Sequence, residues 1–194
     1  MENKDFFDKM RSGDVLLFSG NSCFSKTIKI FTKSKYSHVG MVADKDGVLL
    51  CVESDESPIS KDCKENGVRS TDIYKRIELY DGEVYWRSIE SYRGDPSKWS
   101  SYEDFNKKFF ETIEAFYGVP YEKNLTELFK SAYDGPFGEN KEDLSSLFCS
   151  EFVAETFKRL GLIEYLELPS NEYTPADFST NFSMYGGSQI IRIK

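Results

Sequence analysis

Two apolar runs, residues 38–43 and 48–53, are separated only by Asp44-Lys45-Asp46-Gly47. A connection that short leaves no room for a crossover, so the runs pair as an antiparallel hairpin. Side chains alternate between faces along a strand. His38, Gly40 and Val42 therefore share one face of the first strand, and Leu49, Cys51 and Glu53 share one face of the second. His38 is the only histidine in 194 residues. Any chemistry that needs an imidazole has one address, at the head of this hairpin.

The remaining pattern mixes strands and helices. Gly13-Asp14 opens the apolar strand Val15-Leu16-Leu17-Phe18, which Ser19-Gly20-Asn21 ends. Phe24, Ile28 and Phe31 recur at helical spacing. A strand pair is expected at 74–79 and 84–89 around Asp81-Gly82, and residues 1–12 read as a short helix. Ser91–Ser101 is mostly loop. Ser101 with Asp104 then resembles a capping box before Phe105, Phe109, Ile113 and Phe116, an amphipathic helix stopped by Gly118 and Pro120. A short helix at 124–133 and a polar loop, Asp134–Leu144, follow. A helix over about 148–160 closes at Gly161, Thr174-Pro175-Ala176-Asp177 caps another, and Gln189–Ile193 forms a last strand. The length and the absence of repeats point to a single α+β domain over residues 1–194.

Composition removes several function classes. A formal net charge of −8 argues against nucleic acid as a partner, because nonspecific binding needs a basic surface to release counterions. No stretch reaches the roughly 18 apolar residues of a membrane span, and the polar start Met1-Glu2-Asn3-Lys4-Asp5 does not resemble a signal peptide, so a cytoplasmic location is expected. Cys23, Cys51, Cys63 and Cys149 form no CxxC pair, and no Cys/His spacing suits zinc. Neither a metal nor a cofactor is expected.

The partner for His38 is Cys149, in Phe148-Cys149-Ser150-Glu151-Phe152-Val153-Ala154. Phe152, Val153, Thr156, Phe157 and Leu160 follow at one-face helical spacing, which puts Cys149 in the first helical turn, on the core-facing side. A helix N-terminus favours negative charge, and a thiolate there is a nucleophile. A cysteine also serves as a small buried apolar residue, and a histidine as a satisfied core group. Cys–His pairs carry a third group that orients the imidazole. Glu53 ends the returning strand of the hairpin, with Asp55 and Glu56 as competitors. Tyr36 and Tyr121 are candidate cleft residues for substrate. Cys51 shares the Glu53 face and reads as core.

Four motifs together resemble a known family. Gly13-Asp14-Val15-Leu16-Leu17-Phe18 with Ser37-His38-Val39-Gly40-Met41-Val42 looks like the second half of an NlpC/P60 cysteine peptidase domain. Gly118-Val119-Pro120-Tyr121, then Phe148–Val153 and Gly161, looks like its first half. The reversed order resembles the circularly permuted branch, the YiiX/YebB-like papain-like proteins and their poxvirus relatives. The resemblance implies an α+β papain-like fold with helices on an antiparallel, barrel-like sheet. It also implies a catalytic Cys149, His38 and Glu53, with Cys149 at the start of the central helix.

By that resemblance the chain is a cysteine hydrolase acting on an amide through a thioacyl intermediate. Its substrate would be an N-acyl amino acid, a lipid-like amide, or a peptide or isopeptide. A thioacyl-transfer acyltransferase like the lecithin:retinol acyltransferase group shares the His-before-Cys order. Phe148 before the cysteine and the lack of a second histidine depart from that group. A non-catalytic binding module on the same fold is the third reading. Lys26, Lys29, Lys33 and Lys35 read as a solvated helix face, or as contact with an anionic substrate group or a lipid headgroup at the membrane periphery.

Overall fold

A computed structural model describes residues 6–56, 67–121, 148–163, 168–180 and 185–194. After a 3-10 turn at Phe7–Lys9 come β1 (Val15–Gly20), α1 (Cys23–Phe31), β2 (His38–Lys45), β3 (Val48–Asp55) and β4 (Gly67–Asp72). Then follow α2 (Ile73–Leu79), β5 (Gly82–Arg87), α3 (Glu90–Arg93), α4 (Tyr102–Glu114), α5 (Cys149–Arg159) and β6 (Ile191–Arg192). The strands make an antiparallel sheet in the order β4-β3-β2-β1-β5-β6, so β4 and β6 are its edges among the described residues. The chain is thus α+β. The helix expected at 124–133, the loop Asp134–Leu144 and Cys63 lie outside the described residues.

The hairpin forms as its spacing requires. Its last pair is Lys45 with Val48. Asp46 and Gly47 make the two-residue loop with φ of 53° and 85°. Both are left-handed, the turn whose twist matches the flanking strands. The expected strand at 74–79 is instead the helix α2, and the strand β4 lies just before it. The Asp72 carboxylate caps α2 by accepting the Lys75 N–H at 2.9 Å. Ile73, Arg76 and Ile77 are its buried side. Over seven residues a helical stripe and a strand alternation are hard to tell apart. Asp81-Gly82 consequently joins a helix to β5 and closes no hairpin.

Both faces of the sheet are covered. On one, Val15, Leu17, Val39, Met41 and Val52 pack with Phe105, Phe109 and Ile113 of α4 and with Phe152, Val153 and Phe157 of α5. On the other, Leu16, Phe18, Val42 and Cys51 meet Ile73 and Ile77 of α2. Helix α4 starts at Ser101, whose hydroxyl accepts the Asp104 N–H at 3.1 Å. The Asp104 carboxylate reaches back one residue further than a capping box does, to the Ser100 N–H at 3.3 Å. Helix α5 is pinned at both ends. Glu151 accepts the Phe148 N–H at 3.3 Å at its start. At its end Gly161 (φ 72°) donates to Lys158 and Leu162 donates to Phe157, a Schellman closure.

Asp14 locks the entry to β1. Fully buried, its carboxylate accepts from Arg93 Nη1 at 2.8 Å, Trp86 Nε1 at 3.0 Å and the Ile89 N–H at 3.0 Å. Asp14→Ala leaves the buried Arg93 without its carboxylate. It is expected to cost about 3–5 kcal/mol in urea denaturation. A loss under about 1 kcal/mol, the scale of a surface pair, would show that the Asp14–Arg93 pair does not brace this corner.

Candidate active site

Residue His38 opens β2, where its ring lies 5.2 Å from that of Phe18 on the paired strand β1. Its side chain is 12% exposed, whereas that of Glu53 is fully buried. His38 Nε2 and Glu53 Oε2 are 2.8 Å apart. The β2–β3 register, with Met41 opposite Val52, puts Gly40 across from Glu53, so the contact runs diagonally past Gly40. A Cβ on Gly40 would sit 3.1 Å from the Val52 carbonyl oxygen, 3.2 Å from Glu53 Cβ and 3.4 Å from Cys51 Sγ. The space beside Gly40 is therefore filled from within the sheet, by Glu53 and Cys51, and the glycine permits the diagonal.

The first residue of α5 is Cys149, 5% exposed. Its side chain lies close enough to His38 to act on the imidazole electrostatically. With Nε2 engaged by Glu53, Nδ1 is the ring nitrogen left for the thiol. His38 thus stands between Cys149 and Glu53. Burial alone would lower its pKa. The interaction with Cys149, then the hydrogen bond to Glu53 and the Glu53 charge, outweigh burial and raise it to about 10.

A buried electrostatic network fixes Glu53. Arg76 of α2 clamps it in bidentate fashion, Nε to Oε1 at 2.6 Å and Nη2 to Oε2 at 2.9 Å. Asp55 accepts from Arg69 Nη2 at 2.9 Å and from Arg76 Nη2 at 3.3 Å. Arg69 also approaches Glu53 Oε1 at 3.5 Å. Burial acts to raise the Glu53 pKa, but Arg76 and His38 hold it well below the ordinary carboxylate range. The Arg76 guanidinium lies 5.0 Å from the ring centres of both Phe18 and Tyr80, which hold its plane.

The donor atoms of His38, Glu53 and Asp55 come within 4.8 Å of one another, a spacing compatible with a metal ion. Their chemistry is not. Two guanidinium groups bind the two carboxylates, and His38 Nε2 is turned to Glu53. A divalent cation would have to enter against two fixed positive charges and displace charge-assisted hydrogen bonds.

The other candidates divide. Tyr121 lines a cleft of about 280 Å³ beside His38, together with Ser22, Phe24, Ser37, Arg76 and Leu79. Tyr36 is not on that wall. It is buried against Tyr85, with ring centres 5.4 Å apart. Cys149 does not line the cleft either, which reaches His38 and not the thiol. Cys51 is fully buried, and burial pushes its thiol pKa well up. Sequence reasoning missed Arg76 and Arg69. The signal for Arg76 was its position one helical turn from Ile73 on the buried side of α2, which a strand assignment hides.

Arg76→Met leaves Glu53 and Asp55 sharing Arg69. It is expected to cost about 3–5 kcal/mol at pH 7. The Glu53 pKa is depressed in the folded chain, so its stabilisation exists above its ordinary value of 4.5 and is lost as pH falls. The gap between Arg76→Met and the parent should therefore hold above about pH 4.5 and narrow as pH falls below it in denaturation curves. A gap independent of pH would contradict the Arg76–Glu53 assignment.

No protein-family model matches the chain, and no curated protein does. Among solved structures, it is similar to the crystal structure of metalloprotein yiiX from Escherichia coli O157:H7 (DUF1105). The TM-score is 0.55 at 20% sequence identity, over 94% of this chain and 88% of that one. The two share a fold.

Proposed function

We propose that the chain is a cysteine hydrolase of the circularly permuted papain-like type, cleaving an amide bond with Cys149 as nucleophile, His38 as base and Glu53 as orienting carboxylate. The observation that carries this reading is the position of His38, hydrogen-bonded to Glu53 and close to a cysteine that begins a helix and acts on the imidazole electrostatically. The yiiX-like fold supports it, as does the order of the motifs along the chain.

The chemistry follows from the geometry. His38 Nδ1 takes the proton of the Cys149 thiol, and Glu53 fixes the ring and stabilises the imidazolium. Cys149 Sγ attacks the carbonyl carbon. The first-turn N–H groups of a helix have no intrahelical acceptor, so those of α5, including Cys149's own, are the donors placed for the oxyanion. Collapse breaks the C–N bond, and the imidazolium proton leaves with the amine. Water, deprotonated by His38, then splits the thioester to release the acid and restore the thiol. The yiiX structure is described as that of a metalloprotein, whereas here guanidinium groups hold Glu53 and Asp55 and Glu53 holds His38 Nε2, so no step is routed through a metal. The cleft beside His38, with Phe24, Leu79 and Tyr121 among polar groups, would hold the part of an N-acyl amino acid, lipid-like amide, or peptide or isopeptide that flanks the scissile bond.

Per-site iodoacetamide labelling tests the pair. Cys149 is expected to label below about pH 7, where an ordinary thiol is protonated, and to lose that reactivity in His38→Ala. Cys149→Ala and His38→Ala should each lower hydrolysis of N-acyl amino acid probes by at least about 10³-fold, with a smaller loss for Glu53→Gln. Labelling of Cys149 that matches Cys51 and ignores His38 would overturn the reading.

A further inference from the structure

Acidic residues are absent from Val15 to Ala43, although the chain carries a formal net charge of −8. Within that stretch lie Lys26, Lys29, Lys33 and Lys35. Two of them sit on α1 and two just beyond it. The ammonium of Lys29 is engaged by the Gly20 carbonyl oxygen at 2.7 Å and that of Lys35 lies 4.0 Å from the Tyr85 ring centre, while Lys26, Lys33 and Lys35 are all exposed residues. Apolar side chains share this surface. Phe24 is 41% exposed, Ile30 75% and Phe31 50%, all on one helix of nine residues. At 3.6 residues per turn, Ile30 falls between Cys23 and Lys26 on the outer side, and Phe24 and Phe31 border the buried Ile28. The exposed strip of α1 is thus apolar along its middle and cationic along its flank and at its C-terminal end.

We propose that α1 docks this protein on an anionic lipid bilayer, with Ile30, Phe24 and Phe31 entering the headgroup boundary and Lys26, Lys33 and Lys35 meeting the lipid charges. Charge complementarity selects the occupant. A purely electrostatic partner has no use for an isoleucine three-quarters exposed among lysines, whereas an interfacial helix requires that mixture. The acidic remainder of the chain is repelled by the same surface, which orients the molecule with α1 toward it. Because Ser22, Phe24 and Ser25 of this segment also line the cleft beside His38, docking brings that cleft to the lipid. The proposal does not depend on the hydrolase chemistry.

Three lysines and one short helix make a weak, reversible attachment. Each lysine near an anionic surface strengthens partitioning about fivefold. Co-sedimentation with phosphatidylcholine vesicles containing about 30% phosphatidylserine tests it. Binding is expected at low salt, absent from pure phosphatidylcholine vesicles, and lost as salt shortens the screening length from about 10 Å to about 3 Å. The triple variant Lys26→Glu, Lys33→Glu, Lys35→Glu should weaken it about 100-fold or more. Ile30→Ser should weaken it several-fold with the thermal midpoint unchanged, because that side chain is three-quarters exposed. Cys149→Ala should bind as the parent does, which separates this result from that of the hydrolase test. Absence of binding to the anionic vesicles at low salt, or binding indifferent to the triple variant, would overturn the proposal. So would equal binding to soluble polyglutamate with no effect of Ile30→Ser, since that describes a site for an acidic protein.

Discussion

The contact between His38 Nε2 and Glu53 Oε2, 2.8 Å long, is the interaction on which the site depends. It is a product of the hairpin. The Asp46-Gly47 turn sets the register, the register puts the two residues on one face of neighbouring strands, and Gly40 clears the diagonal between them. Once Nε2 is engaged by Glu53, Nδ1 is the ring nitrogen left for the interaction with Cys149 at the start of α5. That helix is held by packing on the opposite face of the sheet, so the two halves of the pair come from separate cores that meet at the His38 end of β2.

Electrostatics then decides what the imidazole does. A buried glutamate alone would hold a proton or draw a cation to itself. Here two guanidinium groups match the two carboxylates Glu53 and Asp55, and the histidine charge answers to the cysteine. The linkage with folding has a definite sign. His38, raised to about 10, contributes stability that is complete below its ordinary 6.5 and lost as pH rises through 10. Glu53, depressed from 4.5, contributes stability that is complete above that value and lost as pH falls. Both contributions are whole between about pH 4.5 and 6.5.

Much of this was legible in the chain because the relevant signals are local. The hairpin follows from a loop too short for anything else, α4 from Ser101 and its phenylalanine stripe, and the end of α5 from Gly161. A single histidine left one address for any imidazole. The network behind Glu53 was not legible, for two reasons. Arg69 and Arg76 act through contacts between β3, β4 and α2 that no local spacing encodes. The segment 73–79 is also too short for periodicity to separate a strand from a helix, and the Asp72 cap is the only local clue. Tyr36 and Tyr121 looked alike in a tyrosine-rich chain, and only packing separates the core residue from the cleft residue.

Because the chain contains one histidine, its imidazole gives a single set of ring resonances that needs no assignment. A pH titration of those nitrogen and carbon shifts in the parent and in Cys149→Ala measures the Cys–His coupling directly. The account predicts a ring that stays protonated through neutrality with a midpoint near 10, and a midpoint lower by more than about one pH unit once the cysteine is gone. A midpoint near the ordinary 6.5 in both proteins would contradict it, because His38 would then be carrying no charge for Cys149 to share.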